Sequence, residues 1–365
     1  MLALVSLCAW IYLFFAHGAF WRSRPQLSAA TPETFPDVDI IVPARDEAET
    51  IQAAIGSLLA QDYGGGFRVI LVDDNSTDAT AERAGSAPKL QIIRLESKPA
   101  GWSGKLWALH EGIAASRSAV VLLTDADIVH QPAHLASLVA KLQSAHLDLV
   151  SEMVRLNCSS FAERMLVPAF VYFFQMLYPF AKVNDASSAV AAAAGGTVLV
   201  RREALERIGG IEAIKDALID DVALAKAVKR GGPIFLAHSE LAASIRPYPK
   251  IADLWQMISR TAFTQLRYST ALLILTVAAL TLVWLVPPWE VVFGRGWRFG
   301  CGLAACVLAA CSYLPTLTRY QRNKLWVFAL PLIAAFYMAA TAASAVNYWR
   351  GKGARWKNRA YQRSP

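Results

Sequence analysis

Arg68-Val-Ile-Leu-Val-Asp-Asp-Asn-Ser-Thr-Asp78 is a short apolar run that ends abruptly on two adjacent aspartates. Runs of this length rich in β-branched residues read as buried strands, and the following Asn, Ser, Thr and Asp favour turns and helix caps. The same grammar repeats on both sides. Upstream, Val38-Asp-Ile-Ile-Val42 ends at Pro43, and Asp46 to Gln61 carries Ile51, Ala54, Ile55, Leu58 and Leu59 at helical spacing. Downstream come a helix over Thr77 to Ala84, a strand over Leu90 to Leu95 and a helix over Gly104 to Ala115. Ala119 to Leu123 then forms a strand that runs into Thr124-Asp-Ala-Asp127. Strands alternating with helices predict an α/β fold, a mostly parallel sheet flanked by helices. Ligands of such sheets bind beyond the carboxyl ends of the strands, where both acidic clusters fall.

Each acidic cluster has a plain and a chemical reading. Capping accounts for Ser76, Thr77 or Asp78, but not for two carboxylates closing an apolar strand. Asp125 and Asp127, two residues apart after a strand, suit a hard divalent cation, Mg²⁺ or Mn²⁺, shared with substrate phosphates. Asp220-Asp221 opens a helix running to Arg230. Carboxylates there favour the helix dipole, and one of them also suits a general base for a hydroxyl nucleophile. Lys105 sits where the glycine-flanked turn Gly101-Trp-Ser-Gly104 enters a helix. Arg260, Gln265 and Arg267 lie on an amphipathic stretch, and arginine geometry fits a diphosphate leaving group.

The 365 residues are 55% hydrophobic and 18% charged, with a net charge of +8. That is too apolar for an ordinary soluble enzyme. Met1 to Trp21 carries no charge and is followed by Arg22 and Arg24, which reads as an uncleaved anchor holding the next domain in the cytoplasm. Three further spans are expected at Ala271 to Pro288, Phe299 to Leu317 and Leu325 to Trp349, with the basic loop Arg319 to Lys324 between the last two. Four full spans would put the basic tail outside, against the positive-inside tendency, unless Pro331 and the small residues from Ala339 to Ala345 let the last segment bend back or lie shallow. Met165 to Ala181 reads equally as a core helix or a membrane-dipping one. The basic tail suits an anionic membrane surface rather than nucleic acid. None of Cys8, Cys158, Cys301, Cys306 and Cys311 forms a CxxC pair, so they read as packing residues.

In order along the chain stand Ile41-Val-Pro-Ala-Arg-Asp-Glu47, Val72 to Asp78, Gly104-Lys-Leu-Trp-Ala-Leu109, Thr124 to Asp127, Gly195-Gly-Thr-Val-Leu-Val-Arg-Arg202 and Asp220 to Leu224. This ordered set resembles family 2 glycosyltransferases of the GT-A fold. Pro99 to Trp107, Arg260 to Ser269 and the four apolar segments look like the hopanoid-associated members, and ceramide glucosyltransferases are more distantly similar. Ser23 to Pro36, rich in Ser, Pro and Ala, reads as a linker (23–36) after the anchor (1–22), and the resemblance implies a cytoplasmic catalytic domain over 37–250. An interfacial helix (251–269), transmembrane segments (270–349) and the basic tail (350–365) would follow. It further implies Pro43, Ala44, Glu47, Asp73 and Asp74 at the nucleotide-sugar, with Asp74 near uracil. Lys105, Asp125, Arg260, Gln265 and Arg267 would also meet the donor, Asp127 and Asp125 the metal, and Asp221 beside Asp220 would be the base. The chemistry expected is inverting transfer of one sugar to a hydroxyl of a membrane lipid, in a bacterial inner membrane. Three departures stand out. Asp220-Asp221 replaces Glu-Asp, His110 stands where Asn is common, and Gln265-Leu-Arg-Tyr268 replaces Gln-x-x-Arg-Trp, which argues against processive polymer synthesis. The rival readings are a nucleotidyltransferase, which would release pyrophosphate, and an inactive membrane scaffold.

Overall fold

The computed structural model describes residues 1–351, with the backbone of 355–356 and 359–360; the rest of the basic tail lies outside the described residues. The chain divides into two compact units. Among the described residues, one joins Met1–Ser23, Cys158–Ala181 and 248–351; the other is made of Arg24–Asn157 and Lys182–Pro247.

The second unit is built on a sheet of eight strands: β1 (Val38–Ala44), β2 (Phe67–Asp73), β3 (Leu90–Arg94), β4 (Val120–Thr124), β5 (Ile128–His130), β6 (Leu149–Arg155), β7 (Thr197–Arg201) and β8 (Ile234–Ser244). Their spatial order is β3-β2-β1-β4-β7-β6-β8-β5. β3, β2, β1 and β4 pair in parallel, as does β6 with β8, while β7 runs antiparallel to both β4 and β6. All seven residues of β1 are buried, as a strand covered on both faces requires. The helix Gly104–Ala115 lies close on this sheet because Gly112 has no side chain. A Cβ there would stand 2.4 Å from Ile41 Cγ2. Close seating at Gly112 fixes where the other end of the helix delivers Lys105.

Of residues 23–36, expected as a linker, those from Arg24 onward are pinned along this unit. Gln26 bridges to His238, Leu27 is buried, and the Ala30 N–H donates to Ser137 Oγ at 3.2 Å.

Among the described residues of the first unit, three helices are long and apolar enough to cross a membrane: Thr270–Phe293, Trp297–Arg319 and Lys324–Trp349. The N-terminal apolar helix covers Leu2–Phe15, 14 residues rather than the 21 that the uncharged run suggested, because the chain turns at His17 to Gly18. Pro331 lies in the first turn of the final helix, where a missing N–H costs nothing, so the helix does not break. At Pro287 and Pro288 the missing donors convert Thr281–Leu285 into a π-turn. Its freed carbonyls are satisfied from the N-terminal helix: Ser6 Oγ donates to Leu282 O at 2.8 Å and Trp10 Nε1 to Val283 O at 2.7 Å. The Met165 to Ala181 stretch belongs to this unit and not to the sheet's core. It lies mostly in the helix Phe161–Leu177, whose Tyr172 hydroxyl bonds Ser312 Oγ at 2.6 Å.

Candidate active site

The parallel strands β1, β2 and β4 end on one edge of the sheet, and the acidic motifs stand there. Beside the β4 end lies a pocket of about 340 Å³ of empty volume, counting its open part. Its polar wall is Lys105, Asp125, Gly195, Asp220 and Asp221, and Pro43 also lines it. Lys105, the second residue of its helix, is delivered by the N-cap Ser103, whose hydroxyl accepts from the Leu106 N–H at 3.1 Å. Lys105 Nζ then stands 2.9 Å from Asp125 Oδ1 and 3.0 Å from Asp220 Oδ2. Asp221 Oδ2 accepts the Gly195 N–H at 2.8 Å, and its Oδ1 accepts the Val222 N–H at 2.7 Å. Gly195 gives this approach room. A Cβ on it would sit 3.3 Å from Asp221 Oδ2 and 3.4 Å from Lys105 Nζ.

Asp127 is held differently from its neighbour Asp125. Its Oδ2 accepts from Arg246 Nε at 2.8 Å and from Ser244 Oγ at 3.1 Å, and Arg246 Nη2 reaches on to Glu47 Oε1 at 2.6 Å. Sequence reasoning missed Arg246, which lies 119 residues beyond Asp127. The available signal was a cation just past the end of a strand, β8, that shares a sheet with the acidic motifs. The apolar wall made by Leu106, Leu109, Ile211, Ile214 and Leu224 was missed too.

Ala44, Glu47, Asp73 and Asp74 lie at or just past the ends of β1 and β2, outside this pocket's lining. Asp74 is fully buried, with Arg45 Nη1 3.8 Å from its Oδ2, and Asp73 Oδ1 accepts from the Ser76 N–H at 3.2 Å. Arg260, Gln265 and Arg267 fall in the helical unit, on or just after the helix Ile251–Gln265. Both arginines are exposed, and Gln265 donates to the Tyr178 hydroxyl.

The electrostatics of the pocket are uneven. Burial would lower the Lys105 pKa, but Asp125, Asp220 and Asp221 hold it well above the ordinary lysine value. Burial raises Asp125, against the pull of Lys105. Asp221 is pushed up to about 7 by burial and by the charge of Asp220, although Lys105 and two backbone N–H donors oppose the shift. Fully ionised, the pocket's Asp125, Asp220 and Asp221 outweigh Lys105 by two charges. No group of three or more candidate metal ligands occurs among the described residues. Two carboxylates in excess anionic charge do fit a hard divalent cation that takes its remaining ligands from substrate phosphates and water.

An acidic pocket with a buried lysine at the carboxyl edge of an α/β sheet stands where ligands of such sheets bind. The glycosyl transferase family 2 model matches residues 39–209. An N-acetylglucosaminyltransferase of Bradyrhizobium elkanii is 31% identical over 137 residues, which are 36% of this chain and 72% of that protein. The chain belongs to glycosyl transferase family 2. A beta-monoglucosyldiacylglycerol synthase of Nostoc sp. is 26% identical over 52% of this chain and 41% of its own length. The chain spans only 32% and 34% of two further curated relatives. A mannosyltransferase from Pyrobaculum calidifontis, solved in complex with GDP-Man and Mn²⁺, aligns over 95% of this chain and 99% of its own at 22% identity, with a TM-score of 0.56. That likeness confirms the fold.

Proposed function

We propose that the protein transfers one sugar from a nucleotide-sugar, UDP-linked as the sequence resemblance implies, to a hydroxyl of a membrane lipid, a hopanoid in the first instance. The observation that carries this is the convergence of Lys105, Asp125, Asp220 and Asp221 on one pocket at the sheet's carboxyl edge. Asp221 is the base. With a pKa raised to about 7 it accepts a proton near neutral pH more readily than an ordinary carboxylate does. As the acceptor oxygen attacks the anomeric carbon, its proton passes to Asp221 and the bond from that carbon to the diphosphate oxygen breaks, inverting the centre. Asp125 and Asp127 would hold Mg²⁺ or Mn²⁺, which when bound offsets charge on the diphosphate. Lys105 offers a second cation to the leaving group while it orients Asp125 and Asp220.

Support for a lipid acceptor comes from the three membrane-length helices and from the diacylglycerol-based name of the Nostoc relative. Arg22 and Arg24 beside the first apolar helix favour a cytoplasmic sheet unit in an inner membrane. The test is incubation of the purified protein with labelled nucleotide-sugars, Mn²⁺ or Mg²⁺ and bacterial lipid extract. Release of nucleoside diphosphate with label in a glycolipid is expected. Release of pyrophosphate, or no turnover of any donor, overturns the reading.

A further inference from the structure

Behind the end of β4 runs a row of buried polar side chains for which the mechanism above has no use. Glu152 Oε2 lies 2.5 Å from His134 Nε2, and His134 Nδ1 lies 2.7 Å from His130 Nδ1. His130 Nε2 lies 3.1 Å from Thr124 Oγ1, which donates to Gly196 O at 2.8 Å. Thr124, His130, His134 and Glu152 are 1%, 4%, 0% and 0% exposed, so no water competes for these bonds. The second Glu152 oxygen, Oε1, has no hydrogen-bond partner among the described residues.

Elementary valence fixes the direction of the row. A carbonyl only accepts, so the single Thr124 proton goes to Gly196, and Thr124 must accept from His130 Nε2–H. Burial and the neighbouring His134 push the His130 pKa well below its ordinary value, so His130 is neutral and its Nδ1 is a bare acceptor. His134 therefore donates through Nδ1–H. Only one proton is left to place, between His134 Nε2 and Glu152 Oε2. On either atom the pair is neutral overall, either imidazolium with carboxylate or imidazole with carboxylic acid.

Such a row is costly to bury, and apolar side chains of equal volume would pack the same space without an orphaned oxygen. Its end lies where the sheet stops. Thr124 and Thr197 form the last paired position of β4 with β7. Beyond it one chain continues into Asp125 and the other is the side-chain-free Gly195-Gly196 turn, whose Gly195 N–H holds Asp221. The Thr124-to-Gly196 bond ties these two departing chains together.

We propose that Glu152, His134, His130 and Thr124 form a positioning row that sets Asp125 and the Gly195-Gly196 turn in the spacing that Lys105 and Asp221 need. This rests on the reading of Asp125 and Asp221 given above. Thr124 itself lines the pocket, and Glu152, His134 and His130 act through it.

Four variants and one spectrum decide it. Thr124→Val removes the tie at nearly constant shape and is expected to lower kcat ~10-fold or more while KM for the nucleotide-sugar stays within ~2-fold. Thr124→Ser keeps the hydroxyl and should retain kcat within ~2-fold. Glu152→Gln can still donate one proton to His134 Nε2, so the direction survives and kcat should stay near that of the wild type. Glu152→Leu cannot, and should behave as Thr124→Val does. In ¹⁵N-histidine NMR of the wild-type protein, His130 should appear as the neutral Nε2–H tautomer. Folded Thr124→Val and Glu152→Leu proteins with wild-type kcat overturn the proposal, and so does a charged or Nδ1–H His130. If those two variants do not fold, the His130 tautomer and the Glu152→Gln activity decide it. Wild-type protein that turns over no nucleotide-sugar overturns the functional reading instead, and the tautomer spectrum alone then judges the row.

Discussion

Asp39 and Asp221 are both buried carboxylates held by backbone N–H groups within the sheet unit, yet their chemistry is opposite. Asp39, near the start of β1, accepts from Arg68 Nε at 3.0 Å and Nη2 at 3.2 Å, and from the N–H groups of Arg117 and Ser118 at 3.0 and 3.2 Å. Burial alone would raise its pKa, but these donors bring it down to about 2. Asp221 has two backbone donors and an acidic neighbour, and it rises to about 7. Burial by itself does not decide whether a carboxylate stays reactive; the partners set against it do. Burial raises both, and at Asp221 the charge of Asp220 adds to it, so that Lys105 and two backbone N–H groups do not bring it down. One carboxylate is finished as a fold element, whereas the other is left able to take up a proton.

The largest expected effect breaks the reactive side of this pair. Asp221→Asn keeps the shape and hydrogen-bond reach but cannot accept a proton, so kcat should fall by ~10²–10⁴-fold with donor affinity nearly unchanged. Full turnover by that variant would remove Asp221 from the role of base. The structural side should respond in stability alone. Asp39→Asn takes a charge from four donors, at a cost of about 2 kcal/mol in denaturant unfolding, while the folded enzyme keeps its kcat. A fall in kcat with unchanged stability would contradict that assignment.

The two carboxylates also carry opposite pH signs. Asp39 titrates lower in the folded state than its ordinary 3.8, so its stabilising contribution is present above 3.8 and lost as pH falls through about 2. Asp221 titrates higher, so its contribution is present below 3.8 and lost as pH rises through about 7. Catalysis needs the anion, so kcat/KM should fall ~10-fold per pH unit below about 7 and level off above it. A profile that stays flat down to pH 5 would show that no group with this shift controls the reaction.

The sequence exposed the first half of this arrangement well. β1, β2 and β4 announced themselves because each is a short apolar run ended by a polar turn, and Lys105, Asp125, Asp220 and Asp221 do meet in one pocket. Less was legible where partners come from afar. Arg246 follows β8 in space to Asp127 and Glu47, and no local pattern links positions 119 residues apart. β6, β7 and β8 were not anticipated as neighbours, because the antiparallel insertion of β7 between β4 and β6 is a tertiary choice. Residues 23–36 looked like a linker by composition, yet Leu27 is buried. A segment of low apolar content gives little sign of the surface it will follow.

The finest expected effect concerns Gly195. Its amide is one of the two N–H groups that keep Asp221 from rising further, and a methyl at this position meets Asp221 Oδ2 at 3.3 Å and Lys105 Nζ at 3.4 Å. Those distances are tight rather than impossible, so Gly195→Ala should fold and shift its neighbours by a few tenths of an ångström. Lengthening the Gly195 N–H bond to Asp221 weakens a contact made best to the anion. The acid limb of the pH profile should therefore move upward, and kcat at neutral pH should drop by ~3- to 10-fold. Assayed well above the shifted pKa, part of that loss should return, because there the base is ionised in both proteins. A loss that is the same at every pH would mean that Gly195 serves only to make room for Lys105 and Asp221. Asp39 offers the control, since with Arg68 and two further amides it should tolerate the loss of any one backbone donor with no change in the pH profile of activity.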